Sequence, residues 1–437
     1  MPRSQRICEV VDSVVPGRTL RSAVTALSCL AAALPAFAGG FDFPHQSARA
    51  LGMADAAVAS NADVTAIYYN PGALALVEEK KKVALGATAY WLGASLYQGL
   101  PPGPGANTNG EQEHLYTVAP QLFVSRPLGT RIALGVGVFS PFSYSSEWLQ
   151  PNAFAGRRVS LQSEIETYDV NPTVSWRVTP SIGVGVGVIY RTANVEHQRR
   201  LPLVLDGLLV DVASESVDTS YDSELGWNAG IYLRTGSRLR WGIAYRSQIE
   251  VEFDGEGRLT QIPTGNTQVD QLVRASFPLD RDLPILSSLK FPDSLTAGLA
   301  LRMGKSATLA LDVSRTGWSS FEGVAIDFVS QPQLDYAVLE DFEDSMSYRA
   351  GFALLLPSHW EWRVGYAFDE TPQPDATVSP FLPDADRHTL TLGVGRDWLD
   401  MAIAYQSLDD RTVFTNPDGI NGRYRTHGWL VSLTISH

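Results

Sequence analysis

Residues 359–369 read His-Trp-Glu-Trp-Arg-Val-Gly-Tyr-Ala-Phe-Asp. Every second position from Trp360 is large and apolar (Trp360, Trp362, Val364, Tyr366, Phe368), while His359, Glu361, Arg363, Gly365, Ala367 and Asp369 fill the positions between. A period of two is that of an extended strand whose faces meet different surroundings. Trp241, Ile243 and Tyr245 alternate in the same way with Arg240, Gly242, Ala244 and Arg246. So do Leu309, Leu311 and Val313 with Ala310, Asp312 and Ser314, and Trp429, Val431, Leu433 and Ile435 with Leu430, Ser432, Thr434 and Ser436. From Lys82 onward the chain falls into such segments of about ten residues.

The connections between them come in two lengths. Short turns are expected at Pro127–Thr130, Thr179–Ser181, Thr235–Arg238, Gly304–Lys305, Pro357–His359 and Asp397–Asp400. Long connections are expected near 97–115, 141–158, 198–217, 255–291, 318–345, 370–387 and 408–423. Six short turns alternating with seven long loops join 14 strands and leave both chain ends on the short-turn side. Outer-membrane barrels have this plan, with short periplasmic turns and long extracellular loops. A soluble β-sandwich would also alternate, but would not sort its connections by length. Aromatics near strand ends, including Tyr90, Trp91, Trp241, Trp360, Trp398 and Trp429, are expected to form interfacial girdles.

Composition agrees. Only 19% of the 437 residues are charged, against about 25% in ordinary globular proteins, and Lys is scarce while Gly, Trp, Tyr and Phe are plentiful. The net charge of −13, with one basic run at Lys80–Lys82, argues against nucleic acid as a partner. Both cysteines, Cys8 and Cys29, fall in an expected export signal. Arg3, Arg6, Arg18 and Arg21 precede an apolar run over 23–34, and Ala36-Phe37-Ala38 is a small-x-small cleavage site. Cleavage is expected after Ala38. The long basic region points to a start nearer Val14 or Val15, and Ala26-Leu27-Ser28 makes a poor lipid-attachment box before Cys29. A cysteine-free exported chain without an 18-residue apolar run fits periplasm or outer membrane and excludes transmembrane helices.

Residues 39–81 break the strand pattern. They are rich in Ala, contain Asn70-Pro71-Gly72, a strong turn signal, and lie before the first strand on the periplasmic side. The segment is read as a small helical hatch (plug) in the lumen, with a loose periplasmic tail as the alternative. The expected domains are therefore a signal peptide (1–38), a hatch (39–81) and a barrel (82–437).

Four stretches resemble the FadL-type outer-membrane transport family of Gram-negative bacteria. They are Gln46-Ser47-Ala48-Arg49-Ala50-Leu51-Gly52 with Tyr69-Asn70-Pro71-Gly72; Phe291-Pro292-Asp293-Ser294-Leu295; Thr316-Gly317-Trp318-Ser319; and Leu382-Pro383-Asp384-Ala385-Asp386-Arg387 with Asp369-Glu370-Thr371-Pro372 upstream. The resemblance implies an all-β, 14-stranded antiparallel transmembrane β-barrel with an N-terminal hatch, importing long-chain fatty acids or, in some branches, aromatic hydrocarbons. Two positions depart from the family pattern. Gly72 stands where an alanine is usual, and the chain ends in Ser436-His437 rather than an aromatic, which bears on recognition by the barrel-assembly machinery.

An apolar cargo needs apolar surface, because lipopolysaccharide resists hydrophobic solutes and a water-filled pore offers them nothing. The third long loop supplies Leu201, Leu203, Val204, Leu205, Leu208, Leu209 and Val210, and the fourth Leu283, Ile285, Leu286 and Leu289. Exposed apolar patches mark binding sites, and in the family a groove between these loops captures ligand first. Their packing against each other is the plain alternative. The fourth loop is also expected to be partly helical, with Thr267 and Asp270 as a capping box and Val269, Leu272, Val273 and Phe277 on one face. For the family's second, lumenal pocket the candidates are Phe41, Phe43, Arg246 and Arg363. The arginines either hold a carboxylate or pair with acids such as Asp312 or Glu361. Asn70, Pro71 and Gly72 are read as a hatch gate or, equally, as a fixed anchor. Sideways release through a distorted strand is implied by the family, with Gly86, Gly135, Gly137, Gly183, Gly185 and Gly187 as candidate kinks.

Other classes are weighed too. No Gly-x-Ser-x-Gly elbow is present and the seven histidines lack metal spacing, so no catalytic residue, metal or cofactor is assigned and an outer-membrane hydrolase is the least favoured reading. A general porin or adhesive barrel fits a plug and leucine-rich loops poorly. The expected function is passive, nucleotide-independent import of hydrophobic compounds by a monomer, long-chain fatty acids first and monoaromatic hydrocarbons second, with outer-membrane lipid as surroundings.

Overall fold

The computed structural model describes residues 39–61, 63–77, 82–92, 95–101, 108–114, 116–417 and 419–437; the expected export signal and the last four residues of the expected hatch lie outside the described residues. Fourteen strands form the wall: β1 (Val83–Leu92), β2 (Tyr116–Leu128), β3 (Ile132–Phe139), β4 (Gln162–Arg177), β5 (Ile182–Leu205), β6 (Asp222–Thr235), β7 (Leu239–Arg246), β8 (Ser294–Met303), β9 (Ala307–Thr316), β10 (Ser345–Leu355), β11 (Glu361–Asp369), β12 (Arg387–Arg396), β13 (Leu399–Leu408) and β14 (His427–Ser436). Each pairs antiparallel with the next, and β14 returns to β1 from Ala84↔Ser436 to Leu92↔Gly428. Closure removes the sheet edge that hydrocarbon cannot tolerate. His437 completes the seam without an aromatic: its carbonyl accepts from the Lys82 and Val83 amides, and its amide donates to the Val83 carbonyl.

The alternation is realised through most of the wall, with Phe368 as an exception: it belongs to the outward series by spacing but is buried at the end of β11, where three successive residues are covered. In β11 Trp362, Val364 and Tyr366 are exposed while Arg363, Gly365 and Ala367 are buried, and in β14 Trp429, Val431, Leu433 and Ile435 face outward between buried inward neighbours. Among the described residues no helix is long and apolar enough to cross a membrane. Trp91, Trp241, Trp398 and Trp429 are exposed as expected of a girdle, but Tyr90 is not: it points inward against Phe43, because it is one residue out of phase with Trp91.

Two of the expected loops are largely strand. β5 runs past the wall to Leu205, turns at Asp206-Gly207 and returns over Leu208–Thr219. The expected loop at 255–291 is a hairpin, Ile249–Gln261 with Asp282–Phe291, carrying helix α3 (Thr267–Ser276) at its tip. The helix is capped by Asn266, whose side chain accepts from the Gln268 and Val269 amides, not by a Thr267–Asp270 box; Asp270 instead accepts from the Thr264 amide and hydroxyl. Of its expected apolar face Val273 is buried and Leu272 is exposed.

Residues 39–61 and 63–77 lie against the inward side of the wall. They include two one-turn helices, α1 (Ala48–Leu51) and α2 (Ala66–Tyr69), and a 3-10 turn over Pro71–Leu76. Short side chains let this backbone approach the wall, so its peptide groups are satisfied by wall side chains. Thr434 Oγ1 accepts from the Ala48 amide, Asp312 from the Val58 amide and Ser175 from the Ala75 amide, while Thr88 and Gln121 donate to the His45 carbonyl. The polar inner face of the barrel is thus partly a hydrogen-bonding surface for this segment.

Candidate functional site

The wall is interrupted at one strand. β3 ends at Phe139, and the chain resumes at Ser143–Glu147, whose ladder among the described residues is with β4. Pro141 lies in the break and has no amide to give a ladder. On the other side β2 pairs with β3 only from Leu122↔Val138 to Leu128↔Ile132, so among the described residues Tyr116–Gln121 has no ladder partner there. Above the break the chain closes again, with the Glu113 amide on the Glu147 carbonyl at 2.8 Å and the Leu149 amide on the Glu111 carbonyl at 2.9 Å. The outcome is a window in the wall between β2 and the broken strand.

The kink therefore falls at Ser140-Pro141-Phe142, not at the glycines expected to allow it. Those glycines make room for other groups. Gly135 faces Ile67 and Leu74, Gly187 faces Asn171 and Asn228, and Gly183 and Gly185 receive the Pro71-Gly72 backbone.

A strip of the N-terminal segment covers the break from inside. The Phe43 amide donates to the Pro141 carbonyl, the Ser143 amide to the Phe41 carbonyl and Gln46 Nε2 to the Ser140 carbonyl, with Asp42 bridged to Phe142. A cavity of about 90 Å³ lies on the lumen side, against Tyr68, Phe142, Asn228, Arg246 and Arg349. A second, of about 70 Å³, lies against Phe43, Tyr90, Ser143, Tyr144 and Arg387, on the side of the window. Asp42 alone lines both. Burial pushes its carboxyl up to about 6, against the opposing pull of Arg349.

Of the sequence-predicted lumen residues, Phe41, Phe43 and Arg246 border these spaces and Arg363 does not. Phe41 sits in an aromatic cage with Trp318 at 4.7 Å, Phe321 at 5.3 Å and Phe142 at 5.8 Å between ring centroids. Phe43 turns to the other side, against His45 and Tyr90. Arg246 lies with its guanidinium 4.6 Å from the Tyr68 ring and Nη1 3.6 Å from Asp169, yet Nη1 is buried without a hydrogen bond. Arg363 takes the pairing alternative, at 2.6 Å to Glu361 and 2.7 Å to Asp400. Asp169 was not foreseen; it is held bidentate by Arg191, both bonds 2.8 Å, and that guanidinium also lies over Phe142 and Phe291. Register alone brings the two together, as Asp169↔Arg191 across β4 and β5.

The expected capture groove is not one surface. Leu283 and Ile285 are buried in a continuous apolar cluster that reaches down to Phe41 and Trp318, with Leu201 packed on its flank. Leu203 is half-buried, whereas Val204, Leu208 and Leu209 stand at the hairpin tip, Leu208 at 70% exposure, and Leu286 points out from the opposite face of its strand. The hairpin alternation separates these side chains, which the leucine-rich sequence conceals.

Asn70, Pro71 and Gly72 form a wedge rather than a free turn. Asn70 Nδ2 donates to the carbonyls of Val58 and of Ile231 in β6, and its Oδ1 accepts from the Gly72 amide. Gly72 needs its missing side chain: a Cβ there would lie 2.6 Å from the Gly230 carbonyl oxygen. Facing it, Gly183, Gly185 and Gly230 leave no space for a Cβ either, so six residues of three segments interlock.

The family described as outer membrane protein transport protein (OMPP1/FadL/TodX) matches residues 29–437. A long-chain fatty acid transport protein of Escherichia coli is 21% identical over 73% of this chain and 74% of its own length. Outer membrane protein P1 of Haemophilus influenzae is 22% identical over 86% of each. Among solved structures, a Pseudomonas aeruginosa FadL homologue aligns with a TM-score of 0.79 at 21% identity, over 91% of this chain and 99% of the other. The toluene transporter TodX of Pseudomonas putida aligns at 0.65 and 16% identity, over 92% and 99%. At these identities the structural likeness carries the fold.

Proposed function

Because the chain belongs to the FadL/TodX family of outer-membrane transporters of hydrophobic compounds, we propose that its cargo is a long-chain fatty acid, moved from the extracellular loops to the lumen cavity and out through the β2–β3 window. The observation that carries the fatty-acid reading is Arg246. Arg246 lines the cavity beside Tyr68 and its buried Nη1 has no hydrogen bond, so a carboxylate brought to that guanidinium gains a charge-assisted partner. The alkyl chain has the apolar cluster running from Leu283 and Ile285 to Phe41 to follow. Exposed Val204, Leu208, Leu209, Leu272 and Leu286 offer first contact outside.

In this reading residues 39–77 are the hatch. Its 40–46 strip is the movable partition between the two cavities, and Asn70-Pro71-Gly72 is the fixed anchor. A window facing the bilayer suits an apolar cargo, which leaves the lumen without crossing water. A second reading has its own support: a cavity of about 90 Å³ is closer to the needs of a monoaromatic hydrocarbon than of an alkyl chain, and no carboxylate would then be recognised.

Uptake of labelled oleate and of toluene, by cells lacking their own importer and expressing this protein, separates the two. Oleate uptake that falls about tenfold in Arg246→Leu, the loss expected for one charge-assisted hydrogen bond, while any toluene uptake is unchanged, is the expected result. Toluene uptake alone moves the cargo to the hydrocarbon, and oleate uptake indifferent to Arg246 removes the carboxylate assignment.

A further inference from the structure

At the periplasmic end the inner wall carries a feature that the apolar path does not use. Arg234, Arg240 and Arg302 sit on three consecutive strands, β6, β7 and β8, all turned inward. Arg234 is paired directly opposite Arg240, and Arg302 lies diagonally two residues beyond Ala300, the partner of Arg240. Like charges placed opposite one another in a sheet repel. With Arg49 of the hatch and Lys305 of the next turn they line one concave space of about 180 Å³.

The acids of that space are already engaged. Glu361 is held by Arg49 and Arg363, and Asp63 accepts from the Thr65 amide and hydroxyl within its own turn. Among the described residues Arg240, Arg302 and Lys305 make no ion pair and no side-chain hydrogen bond. Single exposed cations need no partner in water, but several converging on a concavity raise the local concentration of anions and offer a guanidinium pair suited to phosphate or carboxylate. In a chain whose net charge is −13 this concentration of positive charge is also out of character.

We propose that the periplasmic mouth is an anion-binding vestibule, separate from the apolar route, which takes a small phosphate- or carboxylate-bearing molecule from the periplasmic side. Arg240 and Arg302 grip the anion, and Lys305 adds charge at the rim. Occupancy would relieve the repulsion between Arg240 and Arg302, so ligand and barrel stabilise one another.

Calorimetric titration of the full-length detergent-purified protein at low ionic strength tests this, with inorganic phosphate, hexanoate and, as the uncharged control, hexanol. Binding of phosphate, hexanoate or both, weakening steeply with added salt and reduced about tenfold or more in Arg240→Gln/Arg302→Gln, is expected; which anion binds names the class. No binding of either anion by the wild-type protein, equal binding by the variant, or binding of hexanol as well would overturn the proposal. The variant's retention of heat-resistant compact migration shows that its barrel is folded. Oleate uptake is measured separately and is expected to be unchanged, so failure of the cargo assignment leaves this result readable.

Discussion

Two parts of the same N-terminal segment are held in opposite ways. Residues 70–72 are locked to the wall by backbone. Asn70 bridges the hatch and β6, and glycines on both sides bring main chain against main chain with no space between. Residues 40–46 rest largely on groups that belong to less regular structure, the broken segment 140–143, Asp384 in a long loop and Arg387 at the start of β12, and regular wall strands hold the strip at His45, through Thr88, Gln121 and Gln406. Empty space lies on both sides of this strip, whereas the wedge borders a cavity only at Pro71 and has none where its backbone meets the wall glycines. A close-packed contact between main chains has no small displacement available to it, whereas a strip between two cavities has somewhere to go. Anchoring and gating, the two alternatives for the Asn70-Pro71-Gly72 turn, are therefore read as divided between two places.

The largest effect is expected from breaking the wedge. Gly185→Val places two methyl groups where the Pro71 carbonyl sits; overpacking of this kind costs about 1–3 kcal/mol even where neighbours can yield, and here the neighbour is backbone. The hatch should unseat while β5, whose own ladders are untouched, still closes. In planar bilayers the variant is expected to show sustained ion conductance where the wild type shows little. A variant as closed as the wild type would mean that the wedge is not what fixes the hatch.

The converse change immobilises the strip. Asp42 and Phe142 are bridged antiparallel, a relation that brings Cα atoms to about 4.5–5.5 Å, within the span of a disulfide. Both native cysteines lie before residue 39, so Asp42→Cys/Phe142→Cys should form one bond across the partition. Uptake is expected to fall about tenfold when oxidised and to return with reductant to the slower rate that a neutral residue 42 gives, in line with the loss of a gating motion. Full uptake by the oxidised protein would exclude the strip as the moving part.

How much of this the sequence disclosed follows from what each feature depends on. The lipid face was legible because it is a local, period-two property, and Trp362, Val364 and Tyr366 needed no knowledge of their neighbours. Strand number was legible because connection length alternates. The extracellular hairpins were not: Leu201–Val210 is apolar on both faces, so no alternation marks it as strand. The wedge was half legible. Asn70-Pro71-Gly72 announces a turn, but the glycines that receive it lie more than a hundred residues away and look like any other strand glycines. The window had a signal that went unused, since Pro141 after a regular strand removes a ladder donor at the very place where pairing stops. Asp169 and Arg191 needed register, which sequence does not supply.

The smallest and most specific test of the division concerns pH. The Asp42 carboxyl, ordinarily near 3.8, is raised to about 6 by burial in the seated strip. Between those values the seated strip holds a proton that a strip released to water would give up, so lowering the pH from 6 towards 4 stabilises the seated form, and raising it through the same window removes that stabilisation. Opening should therefore be favoured at pH 7.5, where Asp42 is ionised in its buried site, and disfavoured at pH 5. Oleate uptake is expected to be a few-fold slower at pH 5 than at pH 7.5, and Asp42→Asn, which stays neutral throughout, should hold the slow rate at both. The wedge residues Asn70, Pro71 and Gly72 carry no titrating group, so Asn70→Ala is expected to leave the pH dependence in place. If Asp42→Asn kept the wild-type pH dependence, the proton would have to act elsewhere, and the strip would lose its claim to be the element whose seating controls the path.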